Sequence, residues 1–179
     1  MGWKLLGKKT LLNTYKTAVQ SWRMSMPNGK SRDFFITAGY SFVDVLAIDT
    51  KGRVIVLQQY YIGQQKKLIS IVAGIIDDNE QTKVTARREL MEETGYTAKK
   101  FIYLGKSIKG KYSTGNVYHF LALDANKVQE PNFEEAEDIQ ISAISMSTFK
   151  KLLLQHKLLD AFAEVCAYRG LAYLGKLKK

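Results

Sequence analysis

Apolar and polar positions alternate over Trp22-Arg23-Met24-Ser25-Met26, the period of a strand with one wet face, and Pro27-Asn28-Gly29-Lys30 supplies the turn of a hairpin. Residues 3–26 are thus expected to hold two strands, and Phe34 to Thr37 resumes β-type composition. Tyr40 to Ile48 is almost continuously apolar and β-branched, the pattern of a buried strand. Asp49-Thr50-Lys51-Gly52 turns it and Arg53 to Tyr61 returns; a polar loop is expected over Gly63 to Lys67, then a short strand over Leu68 to Ala73. A helix with Thr82 as N-cap should run to about Thr94 and stop at Gly95. Within it Ala86 and Leu90 share a side, as do Val84 and Met91, enough to dock on a sheet. Strands are expected near Lys100–Ile108, Val117–Leu123 and Ile139–Ser145, with a loop over Gly110 to Gly115 and an acidic loop over Pro131 to Asp138. Ser147 reads as the N-cap of a helix through Gln155, and Leu158 to Tyr168 as a last apolar helix. Strands first, one helix in the middle and helices last give an α+β layered domain.

Composition narrows this reading. At 179 residues with 46% apolar content, the chain suits one domain with a full-sized core. Nothing approaches a membrane-spanning apolar run, the N-terminus lacks a signal-peptide core, and the single Cys166 excludes an internal disulfide, so a cytoplasmic enzyme is expected. Cys166 lies in an apolar helix pattern and reads as core. His119 and His156 are too few and too scattered for a histidine-built metal site. The net charge of +10 fits an anionic small substrate or a nucleic-acid partner. No basic segment is interleaved with aromatics along the sequence, so a nucleic-acid partner is not expected.

The chemistry concentrates in Gly74 to Tyr96, GIIDDNEQTKVTARRELMEETGY. Glu89, Glu92 and Glu93 stand three and four apart, which on a helix places them on one face a turn apart. Like charges so placed repel unless something compensates. Arg87 and Arg88 supply part of that, and a hard divalent cation such as Mg²⁺, with Mn²⁺ as the other choice, would supply more. The spacing is Gly74, five residues, Glu80, seven residues, then Arg88-Glu89-Leu90-Met91-Glu92-Glu93-Thr94-Gly95. Seven matches at fixed spacing arise by chance on the order of once in 10⁸ start points at ordinary residue abundance. This segment resembles the Nudix box, and the chain is similar to Nudix hydrolases.

The resemblance implies a Nudix fold, an α/β/α sandwich with a mixed β-sheet and an N-terminal antiparallel strand extension. It places one domain over residues 1–179, with 1–39 as a β extension used for dimerisation and 40–179 as the core. By motif position it makes Glu89, Glu92 and Glu93 the metal ligands, with the carbonyl of Ala73 as a further one. Glu80 and Arg88 would form an ion pair holding the loop against the helix, and Gly74 and Gly95 would be backbone requirements. A glutamate of the acidic loop, Glu135 or Glu137, would orient or deprotonate the attacking water, with Glu92 and Arg88 beside it. The flanks (Gln58-Gln59-Tyr60, Val72-Ala73-Gly74, Ser113-Thr114-Gly115 and Phe133 to Ile139) resemble the ADP-ribose and nucleotide-sugar pyrophosphatases. Phe34, Tyr61, Ser113 and Gly115 are the matching substrate-binding candidates. The implied reaction is metal-dependent hydrolysis of the pyrophosphate of ADP-ribose or a related nucleoside diphosphate sugar, by a homodimer. That group often has an arginine where Tyr61 stands, which keeps other nucleotide sugars open. The alternative is a Nudix enzyme of dinucleoside polyphosphates or RNA 5′ ends.

Overall fold

Residues 2–14, 17–133, 138–158 and 160–177 are described by the computed structural model. They form two compact units, Met1–Ser41 with Ile108–Val117, and Phe42–Ser107 with Tyr118–Lys179.

In the first unit, β1 (Lys4–Asn13), β2 (Thr17–Ser25) and β3 (Ser31–Gly39) make a three-stranded antiparallel sheet in chain order. The alternation around Trp22 sets its register, pairing Trp22 with Lys8 on one side and with Phe34 on the other. The Pro27–Lys30 turn closes on a Met26 N–H to Lys30 carbonyl bond of 2.8 Å, with Gly29 at φ 80°. The loop of residues 108–117 is tied to β3: Thr37 N–H donates to the Tyr112 carbonyl and Thr114 N–H to the Thr37 carbonyl.

The second unit is built on a seven-stranded sheet. Its strands are β4 (Phe42–Asp49), β5 (Val54–Tyr61), β6 (Lys66–Ser70), β7 (Val72–Ile75), β8 (Tyr96–Ile108), β9 (Asn116–Lys127) and β10 (Ile139–Ile144). The order is β10-β5-β4-β9-β8, with β6 paired to β5 and β7 to β4. The near-continuous apolar run of β4 is explained by what lies on both faces. Val43, Val45 and Ala47 join a core with Ala86 and Leu90 of α1 (Thr82–Thr94). Leu46 and Ile48 join another with Phe149 and Leu153 of α2 (Met146–Leu154) and Ala163 and Cys166 of α3 (Ala161–Tyr173). The result is helix, sheet, helix. Cys166 is wholly buried in the second core, and burial pushes its thiol far above the usual range.

Several local expectations shift. The segment over residues 63–67 is not a plain loop: a single 3₁₀ turn, Ile62–Gln64, leads directly into β6. The strand expected over residues 68–73 is two strands that change partner at Ile71, β6 bonding β5 and β7 bonding β4. Helix α1 begins at Thr82 itself, with Gln81 as an N-cap that makes no side-chain bond. Helix α2 is capped by Ser145, whose Oγ accepts from Thr148 N–H at 3.1 Å, rather than by Ser147. The last helix starts at Ala161 and is capped by Asp160, whose carboxylate accepts from Phe162 and Ala163 N–H. Val84 is half-exposed, so Ala86 and Leu90 alone form the fully buried apolar face of α1.

A polar chain lies within the second unit. His119 is fully buried, its Nδ1 3.1 Å from Asp44 Oδ2 but poorly aligned for a hydrogen bond, and its Nε2 2.9 Å from Ser107 Oγ. Burial raises the Asp44 carboxyl above its usual value, against the lowering pull of His119.

Candidate active site

Strand β7 and helix α1 bring the box residues together. β7 is held in register on β4, Asp44 opposite Ala73 and Val43 opposite Gly74. Helix α1 then lays its third and fourth turns against β7. The buried face of that helix is not purely apolar: beside Ala86 and Leu90 it carries Thr85, Glu89, Glu93 and Thr94. Glu89 is only 9% exposed and Glu93 6%. Carboxylates at such burial require partners. Glu93 accepts from the Ala73 N–H at 3.1 Å. Glu89 accepts from Arg88 at 2.8 Å.

Arg88 is the hub. Its Nε and Nη2 donate to the two oxygens of Glu80 at 3.1 and 3.0 Å, a fork-to-fork pair. Nη1 donates to Glu89 and to Glu92, at 2.8 and 2.9 Å, and Nη2 also to the Ile75 carbonyl at 3.0 Å. Asp77 stands 3.6 Å from the same nitrogen. The Glu80 bonds raise the Arg88 pKa further above its already high value. The guanidinium in turn holds the Glu80 carboxyl below the usual range, helped by Thr85 Oγ1, which donates at 2.9 Å. The ion pair expected between Glu80 and Arg88 is therefore present, and it ties the loop before α1 to the middle of the helix.

The two motif glycines answer different demands. A Cβ on Gly74 would lie 1.8 Å from Cδ of Glu89, so the glycine leaves the space in which that carboxylate sits. This is a demand of close approach rather than of backbone conformation at the end of a strand. Gly95 does have the left-handed backbone of a helix stop, φ 72°, and its N–H returns to the Met91 carbonyl. A Cβ there would also meet the Gln129 carbonyl at 2.0 Å.

Four carboxylates share one guanidinium, so negative charge is in excess. Among the described residues no three acidic, histidine or cysteine side chains converge as a ready metal cluster. The reason is visible: Arg88 holds Glu89 and Glu92, and the Ala73 amide holds Glu93. The donor set nevertheless suits a hard divalent cation. It offers only carboxylate oxygens, two of its members are nearly buried, and Gly74 leaves the room in which the Glu89 carboxylate sits. Glu89 and Glu93, with the more exposed Glu92, are the residues that would hold the ion.

Other candidates fall elsewhere. Tyr61 sits at the end of β5 in the second unit, its hydroxyl donating to Asp160 at 3.3 Å, and burial raises its pKa. Phe34, Ser113 and Gly115 belong to the first unit. Ser113 Oγ donates to the backbone carbonyls of Thr37 and Thr114. Gly115 has φ 81°, and a Cβ would lie 2.7 Å from the Tyr40 carbonyl, so the loop's attachment already demands both residues. Glu135 and Glu137 lie outside the described residues. Thr85 and Asp77 were not singled out from sequence. Thr85 carries no signal beyond its helical position, whereas the acidic run Asp77-Asp78 could have suggested a second anion at Arg88.

A helix carrying Arg88 and three glutamates, folded against a strand whose glycine clears room for one of them, defines a box of known type. The family model described as NUDIX domain matches residues 41–165, and the chain belongs to the Nudix family of hydrolases. It is 29% identical over 140 residues to the ADP-ribose pyrophosphatase of Bacillus subtilis (strain 168), covering 77% of this chain and 76% of that one. It is 33% identical over 81 residues to the methanol dehydrogenase activator of Bacillus methanolicus, covering 45% and 44%. The crystal structure of an ADP compounds hydrolase superposes with a TM-score of 0.84 at 20% identity, over 99% of this chain and 98% of the other. That likeness establishes the fold. No helix among the described residues is long and apolar enough to cross a membrane.

Proposed function

We propose that the chain hydrolyses the pyrophosphate bond of ADP-ribose or a related nucleoside diphosphate sugar with Mg²⁺, or Mn²⁺ in its place. Water adds to one phosphorus, the bridging P–O bond breaks, and a nucleoside monophosphate and a sugar phosphate leave. The observation that carries this reading is the carboxylate cluster built around Arg88 against Gly74. Its similarity to an ADP-ribose pyrophosphatase over most of the chain supports the substrate class.

A divalent ion bound there would reverse the sign of the site toward a phosphate anion and polarise the phosphoryl oxygens. The chain's own residues do the rest. Glu89, Glu92 and Glu93 supply oxygen ligands, and Arg88, through Glu80, fixes the helix that presents them. The Ala73 carbonyl is the further ligand. Glu135 or Glu137 takes or orients the proton of the attacking water, a role that needs hydrogen-bond reach of that water. Tyr61 is the residue of the second unit offered for contact with the substrate. The functional form is a cytoplasmic homodimer that uses residues 1–39 for contact.

Incubation with Mg²⁺ and ADP-ribose should yield AMP and ribose 5-phosphate, with none in EDTA. In addition, Glu135→Gln or Glu137→Gln should lower kcat at least tenfold at unchanged melting temperature. If both variants keep full turnover, the acidic loop is not the base. A second reading, cleavage of a dinucleoside polyphosphate or an RNA 5′ end, draws support from the net charge of +10. Cleavage of those substrates alone would select it.

A further inference from the structure

A second polar group, apart from the box, gathers where β5 ends against the start of α3. Tyr61 closes β5, and its half-buried hydroxyl donates to Asp160 Oδ2 at 3.3 Å. Asp160 caps α3 with its other oxygen, Oδ1, which accepts from Phe162 and Ala163 N–H. The cap therefore leaves Oδ2 free of any structural duty to the helix. Burial raises the Tyr61 pKa, while hydrogen bonding by Ser70 and Gln59 pulls against it. Ser70 is itself buried. The interior beside Asp160 holds a further acid, Asp44, whose carboxyl is raised by burial and, to a smaller extent, by the Asp160 charge. Asp44 Oδ2 has no hydrogen-bond partner among the described residues.

Sheet topology sets this group between the box and the acidic loop. Gln59 pairs with Ile139, which follows that loop, and on its other side with Leu68 of β6. Ser70 ends β6, and β7 then brings Ala73 and Gly74 into the box. Even fully extended, the chain from Ser70 to Ala73 spans at most about 10 Å. A sugar joined to a pyrophosphate at the box thus has Tyr61 and Asp160 within its reach. The lysines of β6 leave the pair acidic: Lys67 is bound to Asp138 at 2.8 Å, and Lys66, opposite Tyr61, is exposed. A carboxylate oxygen only accepts, and a tyrosine hydroxyl donates once. A sugar hydroxyl, donor and acceptor together, fits such a pair. A phosphate brings only acceptors and negative charge, and meets a carboxylate with nothing to give it. The Tyr61 bond is also long beside the usual O–H···O distance of about 2.7–2.8 Å, so a ligand hydroxyl can compete for Oδ2.

We propose that Asp160, held by Tyr61, is a specificity-determining residue for the group beyond the pyrophosphate, admitting an uncharged sugar through its hydroxyls and rejecting a further phosphate. The inference rests on the pyrophosphatase reading above and narrows it to a substrate class. Along the sequence Asp160 carries no signal beyond that of a helix cap.

The test is initial rates in Mg²⁺ on ADP-ribose and on ATP, whose group beyond the cleaved bond is phosphate, with AMP as competing inhibitor. Parent, Asp160→Asn and Tyr61→Phe are compared. Asparagine also caps helices well, so Asp160→Asn should fold with little change in melting temperature. Both variants should raise KM for ADP-ribose about tenfold or more, the worth of a hydrogen bond to a charged group. Their kcat should fall by less than about threefold, because the contact is made equally before and during reaction. Inhibition by AMP, which lacks the distal sugar, should stay as in the parent. Asp160→Asn should also raise kcat/KM on ATP, whereas Tyr61→Phe, which keeps the charge, should not. Unchanged KM and unchanged preference in a folded, active Asp160→Asn overturn the inference and leave hydrolysis standing. An equal loss of ADP-ribose and AMP affinity overturns it too, since that marks general damage. Should Asp160→Asn not fold, Tyr61→Phe leaves the cap untouched and its KM decides. A parent that cleaves no nucleoside diphosphate sugar defeats the underlying reading, and this inference with it, before any variant is made.

Discussion

At the scale of single residues, Arg88 decides how four carboxylates coexist on and beside one helix. Removing one partner of a largely buried ion pair leaves the others uncompensated and costs about 3–5 kcal/mol; Arg88 is 29% exposed, so the lower end applies. Arg88→Met should therefore unfold about 3 kcal/mol more easily in EDTA. Millimolar Mg²⁺ should restore more of the melting temperature in the variant than in the parent, because the ion takes over the missing positive charge. Equal Mg²⁺ shifts in both proteins would contradict that role. Gly74→Ala puts a methyl where Glu89 sits, and overpacking of this kind costs about 1–3 kcal/mol. The chain should stay folded while turnover drops at least a hundredfold, since Glu89 must move. Glu80 supplies a pH test. Its folded pKa is depressed by Arg88, so its contribution is fully present above the usual value of 4.5 and is lost as pH falls through the lower folded value. Urea unfolding of the parent and of Glu80→Gln should differ by a constant amount above about pH 5.5, and that difference should shrink steadily below pH 4.5. The spacing of Glu89, Glu92 and Glu93 was plain in the sequence. Their burial was not, because carboxylates at i and i+4 read as a wet face until a strand amide and an arginine are placed beside them.

At the scale of elements, helix α1 is held by packing and by its C-terminal stop more than by its start. Gln81 makes no capping bond and the first turn has no acid. Gln81→Ser should accordingly stabilise the protein by about 0.5–1 kcal/mol, read as a higher urea midpoint at unchanged slope. An unchanged midpoint would mean that the Glu80–Arg88 tie already fixes this end. The helix itself was legible from Gly95 and from Ala86 and Leu90. The division of residues 66–75 into β6 and β7 was not. Local composition is apolar throughout Leu68–Ala73, and only the competition of β5 and β4 for the same backbone tells where the strand changes partner. The substrate candidates met a similar limit. Ser113 and Gly115 are already required by backbone bonds and close contacts that anchor their loop to β3, and no sequence pattern separates that duty from ligand binding.

At the scale of the whole molecule, one box and one family match fix the architecture of the second unit, while the first unit's character emerges only from its register. Lys8, 14 residues before Trp22 in the sequence, comes to lie on its ring when β1 and β2 pair. The central claim, that the Arg88-centred cluster performs metal-dependent pyrophosphate hydrolysis, is tested most directly by product analysis on ADP-ribose. Parent protein, Glu89→Gln and Glu93→Gln should be compared in Mg²⁺ and in EDTA. The expected result is AMP and ribose 5-phosphate from the parent in Mg²⁺ only, with at least a hundredfold loss in either variant. Parent-level hydrolysis by both variants, or equal rates with and without the metal, would contradict it.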